Sequence, residues 1–268
     1  MQPDFDHGTG GLTAPAPRHL LTADDPAPFE AVQGDDRSPF VIICDHAGRQ
    51  LPRALGNLGL SDAALAMHVA WDIGAGEVAR RLARALGAFV ACQRYSRLVI
   101  DCNRSLGAPD SIAARSERTD IPGNRCVTGP EAEARAREVF EPYHARIRAE
   151  LDRRRAAGRS SVLVSMHSFT PVFMDVARPW HVGVLFNRDT RIADPLLRLL
   201  RADGDLVVGC NQPYAVDDHS DYSVNHHGEQ RDVPYVEIEI RQDLITETTG
   251  QIAWAERFAR LLPAAVPK

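Results

Sequence analysis

Short, nearly continuous apolar runs, most of them separated by stretches with helical periodicity, set the main constraint on this chain. PFVIIC (39–44), AFVAC (88–92), RLVIDC (97–102), SSVLVSMHS (160–168), RPWHVGVLFN (178–187), DLVVGCNQPY (205–214) and VPYVEIEI (233–240) read as strands. Runs apolar on both faces must be covered on both faces, and parallel strands need crossovers long enough to hold a helix. Residues 61–87 open on a Ser-Asp capping signal and later place Val78, Leu82 and Leu86 on one helical stripe. Residues 130–157 begin with Pro-Glu, carry Val139, Phe140, Ile147 and Leu151 at helical intervals, and stop at Gly158. Two further helices are expected over DTRIADPLLRLLRADG (189–204) and QIAWAERFARLLP (251–263). The pattern predicts an α/β fold: a single domain whose mixed, mostly parallel sheet is flanked by helices.

With 268 residues, 44% of them hydrophobic and 25% charged, the chain can bury one sizeable core, expected over residues 38–268. Residues 1–37 mix Pro, Gly and Asp without periodicity and are expected to form an N-terminal arm, partly disordered or extended. A net charge of -5 and the lack of a basic stripe argue against a nucleic-acid partner. No apolar stretch reaches about 18 residues, so neither a signal peptide nor a membrane span is read. Five scattered cysteines without CxxC spacing suit a reducing cytoplasm. Of these, Cys44, Cys92, Cys102 and Cys210 lie in or beside apolar runs and are expected to behave as core residues. The connections 105–129 and 213–233 exceed ordinary loop lengths, which marks them as functional candidates.

Uncommon polar residues close several of the strands. His46 follows VIIC-Asp, Asn103 and Arg104 follow LVID-Cys, His167 follows VLVS-Met, and Glu239 lies within YVEIEI. Ligands in open α/β sheets bind outside the carboxyl ends of the strands, so these groups are expected to converge. Two histidines and a carboxylate suit Zn²⁺, which takes imidazole nitrogen and carboxylate oxygen and keeps an open position in catalytic sites. His46 and His167 are the expected ligands; Asp72 in AWDIGAG and Glu229 in HHGEQ compete for the third place, Asp72 being preferred. Neighbouring side chains on an extended chain point to opposite sides, so at most one of His226 and His227 is expected at the cleft, with His227 assigned to substrate. Arg104 and Arg97 are candidates to hold a substrate carboxylate, as planar guanidinium pairs bidentately with carboxylate. Glu239 is the candidate general base.

The segments CDHAGRQLP, AWDIGAG, YSRLVIDCNR, SMHSFTP and VPYVEIEIRQDLI resemble, in this order, the N-formylglutamate amidohydrolase family from about residue 38 to the end. That family is similar in fold to zinc carboxypeptidases and aspartoacylases, so the resemblance implies a zinc-exopeptidase-like fold with one zinc per chain. By the same resemblance His46 and His167 are metal ligands, Asn103 and Arg104 clamp a carboxylate next to Ser168, and Glu239 is the base. Arg125 in IPGNRCVTG is a candidate second anion contact. The implied reaction is hydrolysis of the amide of a small N-acyl amino acid such as N-formyl-L-glutamate by an activated water. Arg49 stands where the related enzymes carry a ligand Glu, which leaves the third ligand to Asp72 or Glu229. The departure also motivates one alternative, a non-catalytic small-anion binding protein that keeps the fold; a second, a peptidase-like zinc hydrolase on short peptides, keeps the zinc chemistry and changes only the pocket. The sequence carries no reading of oligomeric state.

Overall fold

In chain order, strand β1 (Phe29–Val32) and strand β2 (Phe40–Cys44) precede the short helix α1 (Asp62–Leu65), helix α2 (Ala75–Leu86) and strand β3 (Phe89–Gln93). A small hairpin, β4 (Arg115–Ser116) and β5 (Thr119–Asp120), leads to α3 (Gly129–Arg135), which continues through a π-helical turn at Ala136–Phe140 into α4 (Glu141–Ala156). Strand β6 (Val162–Phe169) follows, then a second hairpin, β7 (Val172–Phe173) and β8 (Val176–Ala177), and strand β9 (Val182–Leu185). Helix α5 (Ala193–Ala202), strand β10 (Val208–Cys210), helix α6 (Tyr222–His227), strand β11 (Tyr235–Arg241) and helix α7 (Thr248–Ala265) complete the chain. This computed structural model describes residues 19–204, 206–218 and 221–267, so the expectation for residues 1–18 lies outside the described residues.

Seven strands form one mixed sheet in the order β1-β3-β2-β6-β11-β9-β10. β3, β2, β6 and β11 run parallel at its centre, while β1 and β9 join antiparallel. Residues 29–32, within the leader, thus supply an edge strand. From β2 the chain crosses by α2 to β3 on one side, then returns by α4 to β6 on the other side of β2. These crossovers lie on opposite faces, because right-handed connections that leave β2 in opposite directions must do so. A crevice therefore opens between the carboxyl ends of β2 and β6.

Each face has its own core. On one, Ile42, Val90, Val164, Met166 and Ile238 meet Val78 and Leu82 of α2, Leu196 and Leu200 of α5, and Trp254, Phe258 and Leu262 of α7. On the other, Val41, Ile43, Phe89, Leu163 and Tyr235 meet Tyr143, Ile147 and Leu151 of α4. Each fully buried side chain of this kind contributes roughly 1.5–3 kcal/mol. On this second face the inward positions of β6 change from Leu163 to Ser165 and His167, and those of β11 from Tyr235 to Glu237 and Glu239. Packing gives way to a polar site toward the carboxyl ends.

Three expectations need correction. RLVIDC is buried but is not a strand. Its carbonyls are satisfied by side chains: Asn124 Nδ2 donates to Leu98 O at 2.8 Å and Arg135 Nη1 to Val99 O at 2.9 Å. The helical stretch 61–87 is interrupted. Gly74 takes φ +81°, and an added Cβ would stand 2.2 Å from Ile245 O, so this turn requires glycine and frees Asp72 from any helix. Cys210 is exposed, unlike the buried Cys44, Cys92 and Cys102. No helix among the described residues is long and apolar enough to cross a membrane.

Candidate active site

A cavity of about 490 Å³ opens at the carboxyl ends of the central strands. Its floor gathers His46, Asp72, Arg97, Asp101, His167, Glu237 and Glu239. His46 is placed two residues beyond β2, and His167 and Glu239 are register partners on β6 and β11. The Asp72 backbone N–H donates to His46 O at 2.9 Å, which ties the Gly74 turn to the end of β2.

His46, Asp72 and His167 each present a ligand atom within 4.8 Å of the others, and all three are buried. Asp72 Oδ2 lies 3.4 Å from His46 Nδ1 and 2.9 Å from His167 Nδ1. The opposite ring nitrogens face acceptors. His46 Nε2 donates to Asp101 Oδ1 at 2.7 Å, and His167 Nε2 donates to Ser165 Oγ at 2.9 Å with Asp45 Oδ2 at 3.5 Å and Glu237 Oε2 at 3.9 Å. Outer-sphere acceptors of this kind hold a proton on Nε2, so Nδ1 is the nitrogen that would be given up to a cation. His46 Nδ1 is buried with no hydrogen-bond partner among the described residues.

The charges fit a divalent cation. Burial alone would raise the carboxyls of Asp45, Asp72 and Asp101. The two imidazoles outweigh it at Asp45 and Asp72, as do Arg97 and then His46 at Asp101, and all three are held below the usual carboxylate range. Burial and the Arg97 charge oppose protonation of His46, but Asp101 and Asp72 prevail and raise it. For His167, burial is likewise outweighed by Glu237, Asp45 and Asp72, which raise it well above its ordinary value. Protonated, the two imidazoles and Arg97 balance the three carboxylates, and a divalent ion held by both Nδ1 atoms and Asp72 would replace the two imidazole protons with the same charge. Burial pushes Glu239 up to about 8, and burial with Asp221 nearby pushes Glu237 well above the carboxylate range.

Asn103 is fixed on the cavity wall. Its Nδ2 donates to Asp221 Oδ1 at 3.1 Å, and its Oδ1 accepts from Ser223 N at 2.9 Å. Arg104 lies beside it, with Nε on Asp110 at 2.8 Å and Nη1 on Asn103 O at 2.9 Å. Arg97 is bound to Asp101 at 2.5 Å, and Ser168 donates its hydroxyl to Ile73 O at 3.0 Å. Arg49 stacks over Trp71 at 5.5 Å and does not line the cavity.

Three candidates from the sequence lie elsewhere. Glu229 accepts from the backbone N–H groups of Arg188 and Asp189 and from Tyr235 Oη, so it is not brought to the histidines. Arg125 is exposed and pairs with Asp120. His227 is on helix α6, not on extended chain, and is buried behind the cavity against His144. Conversely, Asp45, Asp101, Ser165 and Glu237 went unread. Asp45 and Asp101 sit within the quoted motifs, and Glu237 shares the two-residue period of Glu239.

The His144–His227 pair forms a one-way hydrogen-bond chain. His227 Nε2 donates to His144 Nδ1 at 2.9 Å, and His144 Nε2 donates to Cys102 O at 2.9 Å. Protonating His144 would place two N–H groups head to head, and burial already lowers it to about 4. An unfolded histidine titrates near 6.5, so the unfolded chain binds the extra proton first as pH falls. This contribution is present above about pH 6.5 and is lost as pH falls toward 4, a loss of order 3 kcal/mol. Urea unfolding at successive pH values is expected to show it, with a shallower slope for His144→Gln; an equal slope would contradict the assignment.

Fold and site together define an α/β protein with a buried His–Asp–His centre of metal-binding character at a strand crevice. The chain belongs to the N-formylglutamate amidohydrolase family, whose model matches residues 38–246. It is 31% identical over 142 residues to an N-formylglutamate deformylase of Pseudomonas putida, a match that spans 49% of this chain and 52% of that relative. The chain thus matches about half the length of that relative. The crystal structure of gene product Atu2144 from Agrobacterium tumefaciens is similar with a TM-score of 0.89 and 35% identity, over 92% of this chain and 98% of that one. An N-formylglutamate amidohydrolase from Ralstonia eutropha JMP134 shares the fold, with a TM-score of 0.65 at 20% identity over 89% of this chain and 97% of that one.

Proposed function

We propose that this protein is a zinc-dependent amidohydrolase that cleaves the amide of a small N-acyl amino acid such as N-formyl-L-glutamate. The observation that carries the reading is the meeting of two outward-braced histidines and Asp72 beside Glu239 in one crevice. His46, Asp72 and His167 would hold the ion. When bound, zinc would acidify a water and polarise the acyl carbonyl. Arg104, with Asn103 beside it, grips the α-carboxylate and orients the scissile bond, which lowers the entropic part of the barrier. In its ionised form Glu239 takes a proton from the attacking water and delivers it to the leaving nitrogen as the C–N bond breaks. Formate and the free amino acid are the products. The floor carboxylates Asp101 and Asp45 keep the histidine rings in place. Residues 38–267, with the edge strand β1 that residues 29–32 add, serve as the catalytic domain, and the free thiols suit the cytoplasm.

Elemental analysis of protein purified without added metal, paired with a formate-release assay, tests this directly. About one zinc per chain is expected in the wild type, with zinc and turnover both lost in His46→Ala and His167→Ala. Wild-type protein that takes up no zinc would overturn the reading and favour an anion-binding protein.

A further inference from the structure

N-formylglutamate carries two carboxylates, and planar guanidinium is the side chain best shaped to grip each. Among the described residues, three arginines line the cavity: Arg97, Arg104 and Arg115. Arg97 is committed to the floor through Asp101 at 2.5 Å and Asp72 at 3.8 Å. Arg104 stands beside Asn103, next to the reaction centre, where the α-carboxylate belongs. Arg115 lies on strand β4 at the rim. Its Nε donates to Glu117 O at 3.1 Å, while its one ion pair among the described residues, with Asp120, is long at 3.6 Å and the side chain is 63% exposed.

The hairpin that carries Arg115 is pinned on both sides of the mouth. Glu117, at φ +51°, binds His68 Nε2 at 2.6 Å, and Arg118 pairs with Asp175 of the β7–β8 hairpin at 2.6 Å. The backbone under Arg115 is thereby held while its guanidinium keeps only a loose partner. The other rim carboxylates, Glu117 and Asp110, are already matched by His68 and Arg104.

We infer that Arg115 is the specificity determinant that grips the distal carboxylate of a dicarboxylic N-acyl amino acid. The inference rests on the amide-hydrolase reading above and adds the residue that selects the substrate side chain. A site built to pair a charged group discriminates strongly against the uncharged isostere, because binding the isostere leaves its donors unpaired.

The test compares kcat/KM for N-formyl-L-glutamate and N-formyl-L-glutamine in the wild type, Arg115→Gln and Arg115→Lys, with zinc content measured in each. Wild type is expected to prefer the glutamate compound by about 10²-fold. In Arg115→Gln that ratio falls toward one, chiefly through KM for the glutamate compound, and Arg115→Lys retains part of it. A wild-type ratio near one, or a ratio unchanged in Arg115→Gln, overturns the role of Arg115 and leaves the hydrolase reading intact. Wild-type protein that holds zinc yet cleaves neither compound overturns both.

Discussion

Glu239→Gln is expected to lower kcat about 10³-fold while the protein keeps its zinc. Glu239 is the register partner of His167 on the neighbouring parallel strand, so its carboxylate is fixed beside the histidine without belonging to the His–Asp–His cluster. Glutamine preserves the shape and one hydrogen-bonding oxygen but cannot accept a proton. Loss of a general base acts on the transition state and leaves ground-state binding largely intact, so kcat and kcat/KM should fall together. Steady-state formate release and elemental analysis on the same preparation measure both quantities. A variant that loses its zinc would instead make Glu239 part of the binding cluster, and one with undiminished kcat would move the base elsewhere, with Glu237 the nearest carboxylate on the same face.

Asp72→Ala should remove the metal, and with it nearly all turnover. Among the described residues, Oδ2 of Asp72 is the one carboxylate oxygen that faces Nδ1 of both histidines, at 3.4 and 2.9 Å. Its loss leaves two neutral donors where three groups, one of them anionic, are expected to hold the ion. Zinc affinity is expected to drop by 10²-fold or more, larger than the 10–100-fold typical of outer-sphere changes. Competition with a chromophoric chelator reads this directly. Glu229→Ala, by contrast, removes a carboxylate bound to backbone N–H groups away from the cavity, and zinc content should persist. Full zinc occupancy in Asp72→Ala would refute the assignment.

Much of the architecture could be read from periodicity, because strands buried on both faces must be apolar throughout and the helices between them must each carry one apolar stripe. The strand-end histidines stood out for the same reason: His167 interrupts an inward-facing row that begins with Leu163. Where side chains replaced backbone pairing, the signal failed. RLVIDC is as apolar as a strand, and its coil conformation depends on Asn124 and Arg135, both distant in sequence. Asp45 and Asp101 were hidden by their neighbours, since an acidic residue beside a strand is usually solvated, and only the fold shows that His167 and His46 face them. His227 lies on a helix, where the side-to-side alternation of an extended chain does not hold. The rim hairpins have strands of two residues each, too short for any period to register.

Those hairpins separate two kinds of constraint. The reaction centre is built from strand ends whose positions are tied to the register of the whole sheet, so a change there disturbs the core. The groups around the mouth ride on brief excursions from that frame, joined to one another by the exposed Arg118–Asp175 pair. Surface loops of this kind accept substitution and insertion far more readily than the scaffold beneath them. Mutation can therefore vary what the mouth admits while the groups on the strand ends are inherited unchanged, a division of labour that would let one ancestral frame serve ligands of different shape.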